Sequence, residues 1–405
     1  MKIVHLATSL QGGAGSAALR MNNALNIIGE ESTIICREEI LSYDKADIKS
    51  MSLKFPKKLE SSAVTLLQSR LIQKNNDLVT PWSINTFNIK NEMLNKADII
   101  HIHAYYNFLS IASLRKIVAL GKPTLFTLHD QRFFTGGCHY SRGCNNFQDN
   151  CSSCPQVRKP FDYTVKEAFS KQKAVFESSM NVELISPSHW LANLAKKGAL
   201  SKNLPVHVVK NPIPRIFFQT AVKSKKESNE VLRIAFIATN LNNPYKDLAV
   251  YTKAINEFSR RSLRQFCVVL VGQGNIPKFE PSVLIENVHP KNDSEMAKLL
   301  STIDLLIVPS NQDNSPSVIG EALAAGITVI GSDAGGIPEI LKDFEMPIFS
   351  VADANQLAVL IDSYQEPPSR EYIREKAKKY FGDEILGGEL LEIYDDLYQK
   401  LLKRG

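Results

Sequence analysis

No apolar run in this 405-residue sequence approaches the roughly 20 residues that cross a bilayer; the longest are strand-sized. That excludes an integral membrane protein built from helices. No cleavable leader is expected at the N-terminus either. Met1-Lys2-Ile3-Val4-His5-Leu6 is a short apolar burst broken by His5, with no cleavage-site pattern, and is expected to be a first strand. Charge of one sign is scarce: 48 basic residues stand against 42 acidic ones, and a net charge of +6 is too mild to argue for nucleic acid. Disorder is excluded by 44% apolar and 22% charged residues. No internal repeat suggests a solenoid. A cytoplasmic protein is expected, in which the six cysteines are reduced thiols or metal ligands rather than disulfides.

What is present is an alternation. Apolar runs at Ile3–Ala7, Ser32–Cys36, Ile99–His103, Pro123–Leu128 and Glu183–Ser186 predict strands, separated by amphipathic stretches such as Ala17–Ile28 and Ile111–Leu120. The pattern restarts at Val231–Ala238, Phe266–Val271, Val283–Ile285, Leu305–Val308 and Thr328–Gly331. This is the grammar of parallel sheets covered by helices, in a chain too long for one core. Residues 1–215 are expected to form one Rossmann-like domain and residues 230–383 another. Between them, 216–229 reads as a linker, polar and charged from Lys223 to Glu230 after the stop Asn211-Pro212-Ile213-Pro214. A helix from about 384 to 405 carries Leu390, Leu391, Tyr394, Leu397, Tyr398, Leu401 and Leu402 on one face. The basic amphipathic stretch Lys54–Lys74 predicts a surface helix, with contact to an anionic membrane as the alternative.

Four groups of residues carry chemistry. Gln11-Gly12-Gly13-Ala14-Gly15-Ser16 lies between the first strand and the first helix, where glycines let backbone N–H groups approach an anion. Gly12 and Gly13 are therefore expected to face substrate. Gly13, Gly15 and Ala18 also match a dinucleotide spacing, which raises a nicotinamide-dependent oxidoreductase as an alternative. Ser9, Leu10 and Gln11 separate these glycines from the strand, and Glu38 and Glu39 stand behind Arg37, which weakens that version. His101, His103 and the pair His129-Asp130 sit at the carboxyl ends of predicted strands, where open α/β sheets bind ligands. His101 and His103 are expected to be hydrogen-bonded supports rather than metal ligands, and His129 with Asp130 to touch substrate.

The third group is Cys138, Cys144, Cys151 and Cys154, in a loop-like stretch (136–155) rich in Ser, Gly and Asn. Such a loop has little core of its own, and a tetrahedral thiolate site would organise it. Zinc is the default ion; iron, plain buried thiols, or a redox pair at Cys151 and Cys154 are the other readings. The fourth group runs from Val308-Pro309-Ser310 through Asp313-Asn314-Ser315-Pro316-Ser317 to Glu321. A strand end, a small-residue loop and a helix start place backbone amides and two carboxylates together, which suits a phosphorylated polyol such as a sugar nucleotide.

Asp313-(x7)-Glu321, followed by Ala322-Leu323-Ala324-Ala325-Gly326 and Gly335-Gly336-Ile337-Pro338-Glu339, resembles the E-x7-E signature of retaining glycosyltransferases of family 4, which have the GT-B fold. Gly12-Gly13, Ile100-His101-Ile102-His103-Ala104, Thr127-Leu128-His129-Asp130 and Thr135-Gly136-Gly137-Cys138-His139-Tyr140 are similar to its colanic-acid and exopolysaccharide branch. The likeness implies two Rossmann-like domains facing across a cleft, with the C-terminal helix crossing back to the first, acceptor-side domain. It implies that Gly13 faces the donor phosphates or acceptor, that His129 contacts the donor sugar and that Lys246 pairs with the diphosphate. Asp313 and the backbone of Asn314, Ser315, Pro316 and Ser317 would hold sugar hydroxyls, Glu321 the ribose, and Gly272 and Asn240 would border the donor. Two departures stand out. Asn240 occupies the position, six residues before Lys246, where the family commonly has arginine, and the first carboxylate of the signature is Asp313 rather than glutamate.

The function so implied is retaining transfer of a sugar, from a UDP- rather than a GDP-linked donor, to a glycan or lipid-linked oligosaccharide in surface polysaccharide synthesis. It needs no catalytic cofactor, leaves zinc a structural place at the four cysteines, and has no nucleic-acid partner. The work would be done in the cytoplasm, at the inner face of the membrane. Besides the oxidoreductase, a metal hydrolase using His101, His103, His129 and Asp130 and a weakly active sugar-nucleotide binder are the competing classes.

Overall fold

The computed structural model describes residues 1–37, 48–50, 62–64, 66–67, 69–70, 78–83, 91–177, 179–220, 231–367 and 369–404. The chain forms two compact units, Met1–Lys210 with Leu386–Gly405, and Asn211–Ile385. Most of Lys54–Lys74, and Glu38 and Glu39, lie outside the described residues.

Unit 1 holds seven parallel strands: β1 (Lys2–Ala7), β2 (Glu31–Cys36), β3 (Ile48–Ser50), β4 (Ile99–Ile102), β5 (Thr124–Thr127), β6 (Val182–Ser186) and β7 (Val206–Val208). Their order is β3-β2-β1-β4-β5-β6-β7, so the direction of winding reverses between β1 and β4. Strand alternation sorts the side chains into two layers. Val4, Leu6, Ile100, Ile102, Phe126 and Leu184 face one core, and Ile3, Ile99, Leu125 and Ile185 face the other. The second core is closed by Met21 and Leu25 of the helix Gly12–Ile27 and by Leu386, Leu390, Tyr394 and Leu397 of the C-terminal helix Asp383–Leu402. Full burial of each such leucine contributes about 1.5–3 kcal/mol, which fixes the helix to this sheet.

Unit 2 holds six parallel strands: β8 (Leu232–Asn240), β9 (Phe266–Gln273), β10 (Leu284–Val288), β11 (Leu305–Val308), β12 (Thr328–Ser332) and β13 (Ile348–Phe349). Their order is β10-β9-β8-β11-β12-β13, with the reversal between β8 and β11. Ala235, Val269, Leu306 and Val329 face one core; Ile234, Phe236, Val268, Leu305 and Ile330 face the other.

Two expectations are corrected. Residues 216–219, expected in the linker, belong to a helix, Arg215–Gln219. Phe217 and the preceding Ile213 are buried in a core of unit 2, so that unit begins upstream of the polar run. Gly12 to Ser16, expected as a loop, is instead the first turn of the helix Gly12–Ile27. Gly13, Gly15 and Ala18 therefore fall inside a helix, and the turn that a dinucleotide fingerprint requires is not where its spacing puts it.

Candidate active site

In unit 1 the strand reversal brings together the carboxyl ends of β1, β4 and β5, the place where such sheets offer a crevice. Three predicted segments meet there in sequence register: the start of the helix Gly12–Ile27, the residues after β4, and His129-Asp130 after β5. That helix has no side-chain cap and no acidic residue in its first turn. Gly12 and Gly13 are exposed, and open space lies over the position a Cβ would take at either. An anion can therefore approach the first amides, aided by the helix dipole.

Beneath them lies a network of imidazoles. His5 of β1 is the register partner of His101 of β4, and both are fully buried. His5 Nδ1 lies 2.9 Å from His103 Nε2, and His103 Nδ1 lies 3.1 Å from His129 Nε2. His101 is held by the Tyr394 hydroxyl at 2.5 Å and by Thr127 Oγ1 at 2.7 Å. His5, His101 and His103 are the one trio of metal-capable donors within 4.8 Å of one another among the described residues. Yet both ring nitrogens of His101 are taken by hydroxyls and both of His103 by neighbouring rings. The trio is a hydrogen-bonded support, not an open coordination set.

The network assigns a tautomer. His5 Nε2 is buried with no partner, and an unpaired acceptor costs less there than an unpaired N–H. The proton of His5 then sits on Nδ1 and is donated to His103, whose own Nδ1–H is donated to His129 Nε2. His129 is left as the Nδ1–H tautomer. Burial holds these rings neutral: His5 is lowered to about 3 and His129 to about 4, the latter against the opposing pull of the Asp130 charge, and His101 and His103 well below the usual value, where the neighbouring rings add to the effect. At neutral pH His129 is a hydrogen-bonding group, not a cation.

Asp130, expected to touch substrate, spends both oxygens inside its own loop. Oδ1 accepts from the Arg132 amide at 2.8 Å and Oδ2 from His139 Nδ1 at 2.6 Å. Burial alone would raise its pKa, but the charge and hydrogen bond of His139 outweigh it and hold the carboxyl below its usual value. His139 Nε2 meets Thr80 Oγ1 at 2.9 Å, and buried Arg132 bonds the Thr80 carbonyl at 2.9 Å and Gln172 Oε1 at 3.0 Å. The four cysteines follow at once: Cys138 and Cys151 are buried, Cys144 and Cys154 partly so, and none forms a disulfide.

In unit 2 the loops after β8, β11 and β12 converge at the second reversal. Lys246 Nζ lies 2.5 Å from Asp313 Oδ2, a contact between two side chains expected to act separately on a ligand. Asp313 Oδ1 accepts from the Asn314 amide at 3.0 Å, and the Ser310 hydroxyl stands 3.4 Å from Oδ2. Tyr245 and Asn311 tie the two loops at 2.9 Å through the Asn311 amide. Gly335 makes this packing feasible: its φ is +59° and a Cβ there would overlap the Asp313 carbonyl. Pro316 leads into the helix Ser317–Ala324, which no side chain caps. Asn314 and Glu321 are buried at 5% and 6% exposure, Glu321 about a turn inside the helix; Ser315 and Ser317 are half-buried at its mouth.

Asn240 ends β8 in an exposed position, where its carboxamide oxygen accepts from the Asn242 amide at 2.9 Å. It shapes a turn rather than supplying charge. Gly272 (φ +137°) lies in β9 where a Cβ would overlap the Ala238 carbonyl, so its bareness serves the pairing of β8 with β9.

His5, Tyr394, His139 and Arg132 were not singled out as site residues by pattern. His5 carried a signal, a polar residue inside an otherwise apolar strand, but its meaning depends on β1 lying beside β4. Tyr394 reads as one more residue of an apolar helical face, and only its hydroxyl is used differently.

Residues 232–364 match the family model for group 1 glycosyl transferases. A protein of Escherichia coli (strain K12) named as the colanic acid biosynthesis glycosyl transferase WcaC is 21% identical over 315 residues, 74% of this chain and 75% of that one. Among solved structures, a glycosyltransferase from Rickettsia africae is 15% identical with a TM-score of 0.62, covering 98% of each chain. Anabaena HepE, solved in complex with UDP, is 13% identical with a TM-score of 0.61, covering 98% of this chain and 100% of that one. The matched segment spans β8 to β13 with the Lys246–Asp313 pair, so unit 2 is similar to group 1 glycosyl transferases, and the fold is GT-B.

Proposed function

We propose that the protein transfers a hexose from UDP-hexose, with retention at the anomeric carbon, to a glycan or lipid-linked oligosaccharide acceptor in surface polysaccharide synthesis. The observation that carries this reading is the Lys246–Asp313 contact at the mouth of an uncapped helix, with Glu321 buried inside it. A diphosphate entering there meets a lysine already held in place and helix amides already aimed at it. Lys246 shifts its ammonium from Asp313 to the departing phosphate, and Asp313 then accepts from sugar hydroxyls. Glu321 accepts from the ribose, while the amides of 314–317 complete the cradle. Fixed charge and amides stabilise the leaving group without a catalytic metal ion.

No side chain in the cradle is set up as a covalent nucleophile. Retention then follows from departure and attack on one face: the anomeric C–O bond to the phosphate breaks, the acceptor oxygen bonds the same carbon, and the acceptor proton passes to the leaving phosphate. Neutral His129 contributes a hydrogen bond to a sugar hydroxyl, and Gly12 and Gly13 border the acceptor or the phosphates. UDP in HepE and the role named for the E. coli relative support the donor and the pathway class. Among the described residues no helix is long and apolar enough to cross a membrane, so a lipid-linked acceptor would be met peripherally, at the inner face and its anionic lipid.

The test is a binding and hydrolysis screen across UDP- and GDP-sugars, with wild type beside Glu321→Ala. Saturable binding of one UDP-hexose, lost in the variant, is expected. A folded protein that binds no sugar nucleotide would sink the reading.

A further inference from the structure

The glycosyltransferase reading leaves the cysteine loop unused, and the loop has features that a mere connection does not need. All four of Cys138, Cys144, Cys151 and Cys154 line one small pocket, together with the buried Phe147 and Val165. None is in a disulfide. Between residues 136 and 160 the regular structure amounts to one short 3₁₀ turn, Asn146–Gln148, so secondary structure does not hold the chain here. Nevertheless the backbone is wound tightly. Arg142 (φ 49°), Cys151 (φ 55°) and Ser153 (φ 53°) are three of the seven non-glycine residues with left-handed φ among the described residues, and Gly143 (φ 80°) adds a fourth left-handed position. Such conformations persist only where something over-determines them.

The loop is also directed at its sulfurs. The Gly136 amide donates to Cys151 Sγ at 3.2 Å, and the Cys151 amide to the Asn146 carbonyl at 2.8 Å. Thr135 Oγ1 donates to the Cys138 carbonyl at 2.7 Å. Two of the cysteines come in from the buried side and two from the rim, which is how a chain surrounds a single point.

We propose that Cys138, Cys144, Cys151 and Cys154 bind one zinc ion as a tetrahedral four-thiolate site that holds together the loop following β5. Four soft sulfur donors, with no open position for water, fit a structural zinc rather than a catalytic one. A tetrahedral site with Zn–S bonds of about 2.3 Å needs its sulfurs about 3.8 Å apart. No three of these four lie within 4.8 Å of one another, so binding draws the sulfurs together across the pocket they line. The consequence reaches past the loop. His139 follows Cys138 directly and holds Asp130, the neighbour of His129, so the ion anchors one wall of the unit 1 crevice. The inference stands apart from the sugar-transfer reading, since it uses none of the donor-site residues.

The experiment is metal analysis of the full chain purified without chelators. About one zinc per chain is expected, falling below about a tenth in Cys144→Ser and Cys154→Ser, the rim positions least needed for the core. In the reduced wild type stripped of metal, added cobalt(II) should give sulfur-to-metal charge-transfer and tetrahedral d–d bands, which checks the site even where a variant fails to fold. Four outcomes would overturn the proposal: a folded protein with no stoichiometric zinc and no cobalt bands, zinc retained in both variants, iron found in its place, or a Cys151–Cys154 disulfide in the freshly purified chain.

Discussion

The two units gather functional side chains at the same topological place, the carboxyl ends of strands flanking a reversal, and give them opposite electrostatic characters. Unit 1 uses four histidines, three buried within the unit and His129 half-buried beside them, and keeps them neutral. Unit 2 uses Lys246 and Asp313 on loops, at 26% and 14% side-chain exposure, joined as an ion pair. Depth makes the difference. An imidazole inside a core cannot recover the solvation its cation loses, so it surrenders the proton. Lys246 and Asp313 instead lie on loops partly open to water and face each other at 2.5 Å. Unit 1 should therefore answer to pH, and unit 2 to the removal of charge.

The largest expected effect is acid destabilisation of unit 1. The unfolded chain binds protons near 6.5, whereas His5 and His129 in the fold bind them only near 3 and 4. Between those values the unfolded state holds more protons, so stability is complete above about 6.5 and falls as pH falls. Each ring costs up to about 1.4 kcal/mol per pH unit, about 4 kcal/mol for the two by pH 5. His101 and His103 act in the same direction. Both tryptophans, Trp82 and Trp190, belong to unit 1, and the single histidine of unit 2, His289, is exposed. Tryptophan fluorescence during urea unfolding should show the midpoint dropping sharply from pH 7.5 to pH 5. An unchanged midpoint would mean that the rings are already protonated in the fold, and the contrast between the units would collapse.

Removal of the cation in unit 2 comes next. Lys246→Ala is expected to lower kcat for sugar transfer by about 10²–10³, or about 3–4 kcal/mol of transition-state stabilisation. Because the ion pair is partly exposed, its loss should cost the fold no more than about 1 kcal/mol. The tryptophan midpoint and its pH dependence should not move. Gly335→Ala is a smaller, structural attack on the same place. Its positive φ and the overlap with the Asp313 carbonyl should cost about 2 kcal/mol. Donor affinity should weaken as Asp313 is displaced, with faster hydrogen exchange confined to residues 310–336.

Depth and adjacency also separate what was legible in the sequence from what was not. Strands such as β1, β6, β9 and β12 were readable because a central parallel strand is buried on both faces and is written as an unbroken apolar run between turn residues. The edge strands β3 (Ile48–Ser50), β7 (Val206–Val208) and β13 (Ile348–Phe349) were not, since two or three residues cannot display a pattern. In unit 2 most of the candidate donor-site residues lie close together in one stretch, 313–321, so spacing alone pointed to them; the contact of Asp313 with Lys246 needed the fold. In unit 1 the supporting residues come from positions 5, 101, 103, 129 and 394. Only the strand order β1-β4-β5 and the packing of the C-terminal helix join them. The Asp130–His139 contact was hidden for a related reason: His139 is nine residues away, across a loop whose path no periodicity describes.

The smallest expected effect tests whether the charge of unit 2 is complete. Asn240 stands where the family 4 pattern commonly has arginine, six residues before Lys246, at the exposed end of β8. Its side chain accepts the Asn242 amide, a turn contact worth about 1 kcal/mol to the fold. Asn240→Arg gives up that contact and adds a second cation near the departing diphosphate. Since the loop is anchored independently by Asn243 Oδ1 on the Tyr245 amide at 3.0 Å and by Asn311 on Pro244 at 2.9 Å, Lys246 should keep its place. The added charge should then raise kcat by about tenfold, or about 1.4 kcal/mol, with the stability loss visible separately in thermal unfolding. A fall in kcat at unchanged donor affinity would give the opposite lesson. The turn, and through it the aim of Lys246, would then matter more to unit 2 than a second positive charge.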